Sequence, residues 1–212
     1  MLVGTRMSTP IITLPSDTPI HDALNLFKKE KIRRSPVVDN GKLVGIISEE
    51  DLLNASPSQA TSLSVWEMNY LLSKIKVADV MTKEVYTVSE DTPLVEAAKI
   101  MVDNSVGGLP VMRDGQVVGM VTETDLFKIF LELMGARDAG VRVTALVEEK
   151  PGQLAKLGEL IASKGGNFLT FGQFEGESEA NSLVTFKVVG MKLNEVEDAI
   201  QPVIQKLVDI RE

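Results

Sequence analysis

The chain has 212 residues, no Cys and a single His, His21, and its 22 Lys and Arg against 30 Asp and Glu leave a net charge of −8. A disulfide, a thiolate nucleophile and a Cys/His zinc site are therefore excluded, and a Ser-His-Asp triad could be built only on His21. The acidic balance argues against a general nucleic-acid or anionic-membrane surface. Apolar runs such as Leu126-Phe127-Lys128-Ile129 are broken far short of the ~18 residues of a membrane span. Residues 1–6 lack the apolar core of a secretory signal, and the absence of Cys fits a cytoplasmic location.

In chain order, Ile11–Leu14 reads as a short strand, and Thr18-Pro19 as the N-cap and first position of a helix carrying Ile20, Ala23, Leu24 and Phe27 at helical spacing. Pro36-Val37-Val38 is a second strand, Asn40-Gly41 a tight hairpin turn, and Leu43–Ile47 the return strand. Ser48-Glu49-Glu50-Asp51 then opens another helix. A shift of 74 residues aligns Met7–Leu53 with Met81–Phe127 without a gap, and fourteen of the 47 pairs are identical. Met7 meets Met81, Asp17-Thr18-Pro19 meets Asp91-Thr92-Pro93, and Pro36-Val37 meets Pro110-Val111. Gly45 meets Gly119, and Asp51-Leu52 meets Asp125-Leu126. Each unit is thus β-α-β-β-α with one open apolar face, and two copies would bury those faces together.

Between the repeats, 54–63 has a loop composition, and Val65–Ile75 reads as a connecting helix whose Trp66, Met68, Leu71 and Leu72 would pack on the repeats or on a second subunit. A helix over Leu126–Gly135 leads to a third region with no match to the repeat. There, Val141–Val147, Phe168–Phe174, Ser182–Val188 and Val208–Ile210 read as strands. Gly152–Lys164 and Leu193–Leu207 read as helices, the latter kinked or shortened at Pro202. That is the β-α-β-β-α-β order of a ferredoxin-like unit. The expected fold is α+β, divided into repeat one (1–62), repeat two with the connecting helix (63–137) and a C-terminal domain (138–212).

The doubled Met-Ser/Thr (7–8, 81–82), Thr-Pro, Pro-Val and Gly-x-x-Ser/Thr-x-x-Asp motifs (45–51, 119–125) resemble a tandem CBS pair, the regulatory module that binds adenosyl nucleotides. Residues 140–212 resemble an ACT domain through Lys150-Pro151-Gly152-Gln153-Leu154 and Gly166-Asn167. The order CBS-CBS-ACT is similar to that of the accessory-protein family encoded with bacterial acetoin-utilisation genes.

Ser48-x-x-Asp51 and Thr122-x-x-Asp125 admit two readings that can coexist. Each is a helix N-cap with an acidic first turn, or a hydroxyl and free N–H groups for phosphate with an Asp for a ribose diol. The CBS resemblance implies composite clefts. Cleft one would join Met120, Thr122 and Asp125 to Ile11, Ile12, Arg33 and Arg34. Cleft two would join Ile46, Ser48 and Asp51 to Val85, Tyr86, Gly107 and Gly108. Arg33 and Arg34 stand where relatives place phosphate contacts, whereas Gly107 and Gly108 offer no charge, so cleft one is expected to take the phosphorylated nucleotide. Cleft two would be vacant, hold an uncharged adenosyl group, or exploit the close backbone approach that Gly permits. The alternative for Arg33 and Arg34 is a solvated basic face with Lys28, Lys29 and Lys31, or a docking patch for an acidic partner. His21 reads as an exposed helix residue.

In the ACT-like region, Glu149, Pro151 and Gly152 form the candidate loop. Glu149 stands where amino-acid-binding relatives often carry Asn or Asp, and its carboxylate would repel a ligand carboxylate. Pairing between ACT domains is the safer expectation. Without a P-loop, a Gly-x-Ser-x-Gly or a metal cluster, the chain reads as a non-enzymatic sensor. It would need no cofactor or metal, respond to AMP, ADP or ATP, form a homodimer and signal to a regulated protein. S-adenosylmethionine binding and a nucleotide-independent dimerisation scaffold with vestigial clefts are the alternatives.

Overall fold

The computed structural model describes residues 1–55, 70 and 73–212. It divides into two compact units, Met1–Leu126 and Phe127–Glu212. Most of the connecting helix read over 65–75, including Trp66, Met68, Leu71 and Leu72, lies outside the described residues.

In the first unit, repeat one contains α1 (Ile20–Glu30), β1 (Arg34–Asp39), β2 (Lys42–Ser48) and α2 (Glu49–Asn54). A short helix α3 (Val77–Val80) precedes repeat two, which contains β3 (Val88–Ser89), α4 (Leu94–Asp103), β4 (Gly108–Arg113), β5 (Gln116–Thr122) and α5 (Glu123–Leu133). The two hairpins are β1-β2 and β4-β5, antiparallel, with β3 parallel to β4. Their turns place Asn40 and Gly41, and likewise Asp114 and Gly115, at positive φ. That geometry matches the twist of the flanking strands. The core repeats as well. Ile20, Ala23, Phe27, Val37 and Ile47 are buried, as are Leu94, Ala97, Met101, Val111 and Val121 at the 74-residue offset.

Two local readings change. Ile11–Leu14 is not a strand, because only Leu14 bridges, parallel to Val37. Its counterpart Val88-Ser89 does pair with β4 over two residues. Thr18 is not the helix cap. Pro19 occupies the cap position without a side-chain bond, and in repeat two the Thr92 hydroxyl accepts from the Ser89 N–H at 3.0 Å, closing the preceding turn instead.

The arms that precede the repeats are exchanged. The Val3 N–H donates to the Thr92 carbonyl at 2.9 Å, and the Val77 N–H to that of Thr18 at 2.9 Å. Ser8 pairs with Met120 in repeat two, and Thr82 with Ile46 in repeat one. Each repeat is therefore completed by an arm lying outside its own hairpin, and Val77, fully buried, joins the core of repeat one. The Gly of each Gly-x-x-Ser/Thr-x-x-Asp motif permits this exchange. A Cβ at Gly45 would lie 2.5 Å from the Met81 Sδ, and one at Gly119 would lie 2.5 Å from the Met7 Sδ. The paired Met and Gly motifs are thus two sides of one close packing contact.

The second unit contains the remainder of α5, then β6 (Val141–Glu148), α6 (Gln153–Ser163), β7 (Asn167–Glu175), β8 (Asn181–Val189), α7 (Leu193–Ile200) and β9 (Ile204–Arg211). Its sheet has the order β7-β8-β6-β9, all antiparallel, which is the arrangement of a ferredoxin-like βαββαβ unit. One face packs Val143, Ala145, Val184 and Phe186 against Leu157, Ile161, Val196 and Ile200 of the two helices. The last helix is shorter and the last strand longer than the sequence pattern suggested. α7 stops at Ile200, just before Pro202, which has no N–H to continue it, and residues 204–211 pair with β6. The C-terminal end of α5 is tied to this unit. The Arg142 Nη2 donates to the Met134 carbonyl at 2.6 Å, and the buried Lys187 Nζ to the carbonyls of Gly135 and Asp138. These cations hold the turn that leaves the helix.

Candidate functional site

Both Ser/Thr-x-x-Asp segments form helix caps. The Ser48 hydroxyl donates to Asp51 Oδ2 at 2.6 Å, the Ser48 N–H donates to the same oxygen at 2.9 Å, and the Asp51 N–H returns to Ser48 Oγ at 3.1 Å. In repeat two, the Thr122 hydroxyl and N–H donate to Asp125 Oδ2 at 2.8 and 3.0 Å. The capping reading is therefore realised in both. It pins one carboxylate oxygen of each Asp and fixes the side chain in the first turn.

The seven residues read as cleft two come together. Ile46, Ser48, Asp51, Val85, Tyr86, Gly107 and Gly108 all line one cavity of about 280 Å³. Thr82, Glu84, Ser105 and Val106 complete its wall. The arm exchange explains this. Thr82 bridges to Ile46 on β2, so Val85 and Tyr86, which follow it, are carried over the start of α2.

Arg34, read above with cleft one, also lines this cavity. Its Nη1 donates to the Gly107 carbonyl at 3.0 Å. A Cβ on Gly107 would lie 2.4 Å from Arg34 Nη2, so Gly at this position makes room for the guanidinium. The wall that holds Gly107 and Gly108 therefore carries a positive charge. A long side chain from β1 supplies what Gly107 and Gly108 cannot. Arg33, by contrast, is exposed, and its carbonyl accepts the Glu49 N–H at the start of α2.

Of the cleft-one residues, Met120 is bridged to Ser8, and the Ser8 hydroxyl lies 3.5 Å from Asp125 Oδ1. Asp125 is 6% exposed. Ile11 and Ile12 follow Ser8 on the same arm, and the Ile12 carbonyl accepts from the buried Ser35 hydroxyl at 2.8 Å. Glu84, Thr82 and Ser8 are polar groups that the sequence reading did not assign to a site. The signal for Ser8 and Thr82 was available in the Met-Ser/Thr motif, whose second residue carries the bridge. His21 is half-buried and bonded to Asn25 Nδ2 at 3.0 Å.

In the second unit, Glu149, Pro151 and Gly152 line a separate cavity of about 460 Å³ with Glu148, Lys150 and Gln173. Gly152 stands at φ 84° at the cap of α6. Glu149 is held on its own sheet, accepting from Gln173 Nε2 at 2.9 Å and from the Ser182 hydroxyl, and Lys150 pairs with Glu148. Among the described residues there is no group of three His, Cys, Asp or Glu side chains placed to hold a metal ion. No described helix is long and apolar enough to cross a membrane.

Comparisons with known proteins agree with the first unit. The CBS domain model matches residues 3–58 and 77–132. These ranges begin at the two arms, Val3 and Val77. A CBS domain-containing protein of Dictyostelium discoideum is 37% identical over 136 residues, covering 63% of this chain and 94% of that protein. A solved CBS domain pair of protein MJ0100, in complex with 5′-methylthioadenosine and S-adenosyl-L-methionine, is 33% identical with a TM-score of 0.52 and covers 65% of this chain and 98% of that one. A solved putative acetoin utilization protein, AcuB, from Vibrio cholerae is 30% identical with a TM-score of 0.53, covering 65% and 96%. With two matched copies and a shared repeat architecture, the chain belongs to the CBS-domain family as a tandem pair.

Proposed function

We propose that the chain is a non-catalytic regulatory sensor that binds an adenosyl nucleotide (AMP, ADP or ATP) at its CBS pair. The signal would pass through the C-terminal βαββαβ unit, acting as an ACT-type oligomerisation domain in a homodimer, or to a separate regulated protein. The observation that carries this reading is the composite cavity at Ser48 and Asp51. It combines a polar helix start, the apolar Ile46 and Val85, the ring of Tyr86 and one guanidinium. Such a set can face a purine, a ribose and an anionic group in turn. Cleft one, with Met120, Thr122 and Asp125 beside Ser8, repeats the cap and offers a second, less charged place for the same class of ligand. A cytoplasmic setting and a role beside acetoin utilisation are parts of the same proposal, resting on composition and on likeness to AcuB.

A second reading, S-adenosylmethionine as the ligand, is favoured by two observations. The 33% identical MJ0100 pair carries that compound, and the carboxylates of Asp51 and Glu84 line the cavity here, where a sulfonium would be welcome. Thermal unfolding of the full chain with AMP, ADP, ATP and S-adenosylmethionine in turn tests both readings. A ligand at 100 times its dissociation constant should add ~2.7 kcal/mol of stability. The double variant Asp51→Ala with Asp125→Ala should lose that gain. No stabilisation by any of the four would remove the sensor reading and leave a dimerisation scaffold.

A further inference from the structure

The Gly107 carbonyl is shared. It accepts from Arg34 Nη1 at 3.0 Å inside the Ser48–Asp51 cavity. It also accepts from the Glu123 N–H at 3.3 Å. Glu123 is the first residue of α5, the helix whose start carries Thr122 and Asp125. One main-chain oxygen therefore joins the guanidinium in the cavity's wall, the only one there among the described residues, to the helix start of the other cleft. The wall also holds Asp51 and Glu84, so an anion there depends on Arg34 for its counter-charge.

We infer that Arg34 is a partner-exchanging residue. A phosphate on an adenosyl ligand in the Ser48–Asp51 cavity draws the guanidinium off the Gly107 carbonyl, and the change is felt at the start of α5. The energetic order favours the exchange, because a phosphate adds an opposite charge and can take the guanidinium bidentately, whereas the carbonyl is a neutral acceptor that takes one bond from it. Relieved of Arg34, the carbonyl is left to the Glu123 N–H, whose bond then changes length and strength. An adenosyl compound with no charge at its 5′ position has nothing to offer the guanidinium and leaves the shared carbonyl as it is. The two clefts thereby become coupled for anionic ligands only, and coupling of this kind is reciprocal. The inference rests on the adenosyl-binding reading and adds to it the residue that selects the anion and the route by which occupancy is passed on.

The test uses the full chain carrying Asp125→Asn, to confine binding to this cavity, and two probes that differ at the 5′ group, AMP and 5′-methylthioadenosine. Arg34→Met removes the guanidinium. Gly107→Ala displaces it from the carbonyl while keeping its charge, since the three atoms nearest a Cβ there all belong to the end of the Arg34 side chain and Gly107 lies outside the left-handed region. Arg34→Met should weaken AMP about tenfold and 5′-methylthioadenosine less than twofold. In Gly107→Ala, AMP should move the Glu123 amide resonance little, since the guanidinium is already off the carbonyl. AMP, and not 5′-methylthioadenosine, should move the backbone amide resonance of Glu123, and Arg34→Met should abolish that movement. The inference is overturned if the Glu123 amide of Gly107→Ala responds to AMP as fully as the parent's, or if AMP binds while the parent's Glu123 amide stays still. It is equally overturned if AMP affinity ignores Arg34 while 5′-methylthioadenosine still binds. Binding of neither probe would bring down the adenosyl reading together with the inference.

Discussion

The two CBS repeats agree where they hold each other and differ in what they contribute to the wall of the Ser48–Asp51 cavity. The exchanged arms, the Met–Gly contacts and the capped helix starts occur in both copies at the same offset. The pair Arg33-Arg34 faces Gly107-Gly108 across that offset, and here the symmetry ends. A guanidinium fills the space that the missing side chain of Gly107 leaves, so the two sequence differences are one structural feature. A surface position shows the same logic. Asp39 accepts the Ser16 N–H at 2.9 Å in repeat one, while their counterparts Arg113 and Glu90 form an ion pair at 3.1 Å in repeat two. The contact persists while its chemistry is replaced. A duplicated scaffold can thus change the charge at matched positions without altering the packing that joins its halves.

The largest way to break the comparison is through the shared core. Phe27→Ala should cost about 3–5 kcal/mol and its counterpart Met101→Ala about 2–5 kcal/mol in urea unfolding, since both are almost wholly buried. If repeat two folded independently of repeat one, Phe27→Ala would split the transition into two steps. The exchanged arms predict a single one. Next come the glycines of the arm contacts. Gly45→Ala and Gly119→Ala should each destabilise by about 1–3 kcal/mol, because Met81 or Met7 and the adjoining main-chain carbonyl must shift. Trimming Met81 to Ala in the Gly45→Ala background should recover part of the loss. Unequal costs at the two glycines would show that the arms are not equivalent. The caps are smaller. Ser48→Ala should cost about 0.5–2 kcal/mol, and Thr122→Ala a similar amount.

The surface pair gives the smallest effect and the sharpest contrast. Two hydrogen bonds from Ser16 hold the Asp39 carboxyl below its ordinary value. A depressed carboxyl stabilises the fold above its unfolded value, and that contribution fades as pH falls through the folded one. The stability difference between the parent and Asp39→Asn should therefore shrink on acidification below about pH 4. The Arg113–Glu90 pair is exposed, so Arg113→Ala should change stability by less than about 1 kcal/mol, and less still in high salt.

Much of this was legible in the residues. The offset of 74 aligned turns, cores and caps because each is local, set by Asn-Gly or Asp-Gly, by helical spacing, or by a hydroxyl three residues before an Asp. The arm exchange was not legible. Ser8–Met120 and Thr82–Ile46 are single bridges that leave no periodicity to read, although the conspicuous Met7, Met81, Gly45 and Gly119 were its trace. The reach of Arg34 into the Ser48–Asp51 cavity was not legible for a related reason. Position within a repeat says where the Cα lies, whereas a long side chain reaches across to whatever space a neighbour leaves. The end of α7 was half legible. Pro202 marked the break, but the strand that follows is specified by its partner β6 and not by its own pattern.

The central claim is that the CBS pair holds an adenosyl ligand at the Ser48–Asp51 cavity, and calorimetric titration of the full chain with AMP tests it most directly. The account predicts saturable binding that Asp51→Ala removes from one site and Arg34→Met weakens. Saturable binding that neither substitution alters, or no heat of binding from AMP or from S-adenosylmethionine, would contradict it.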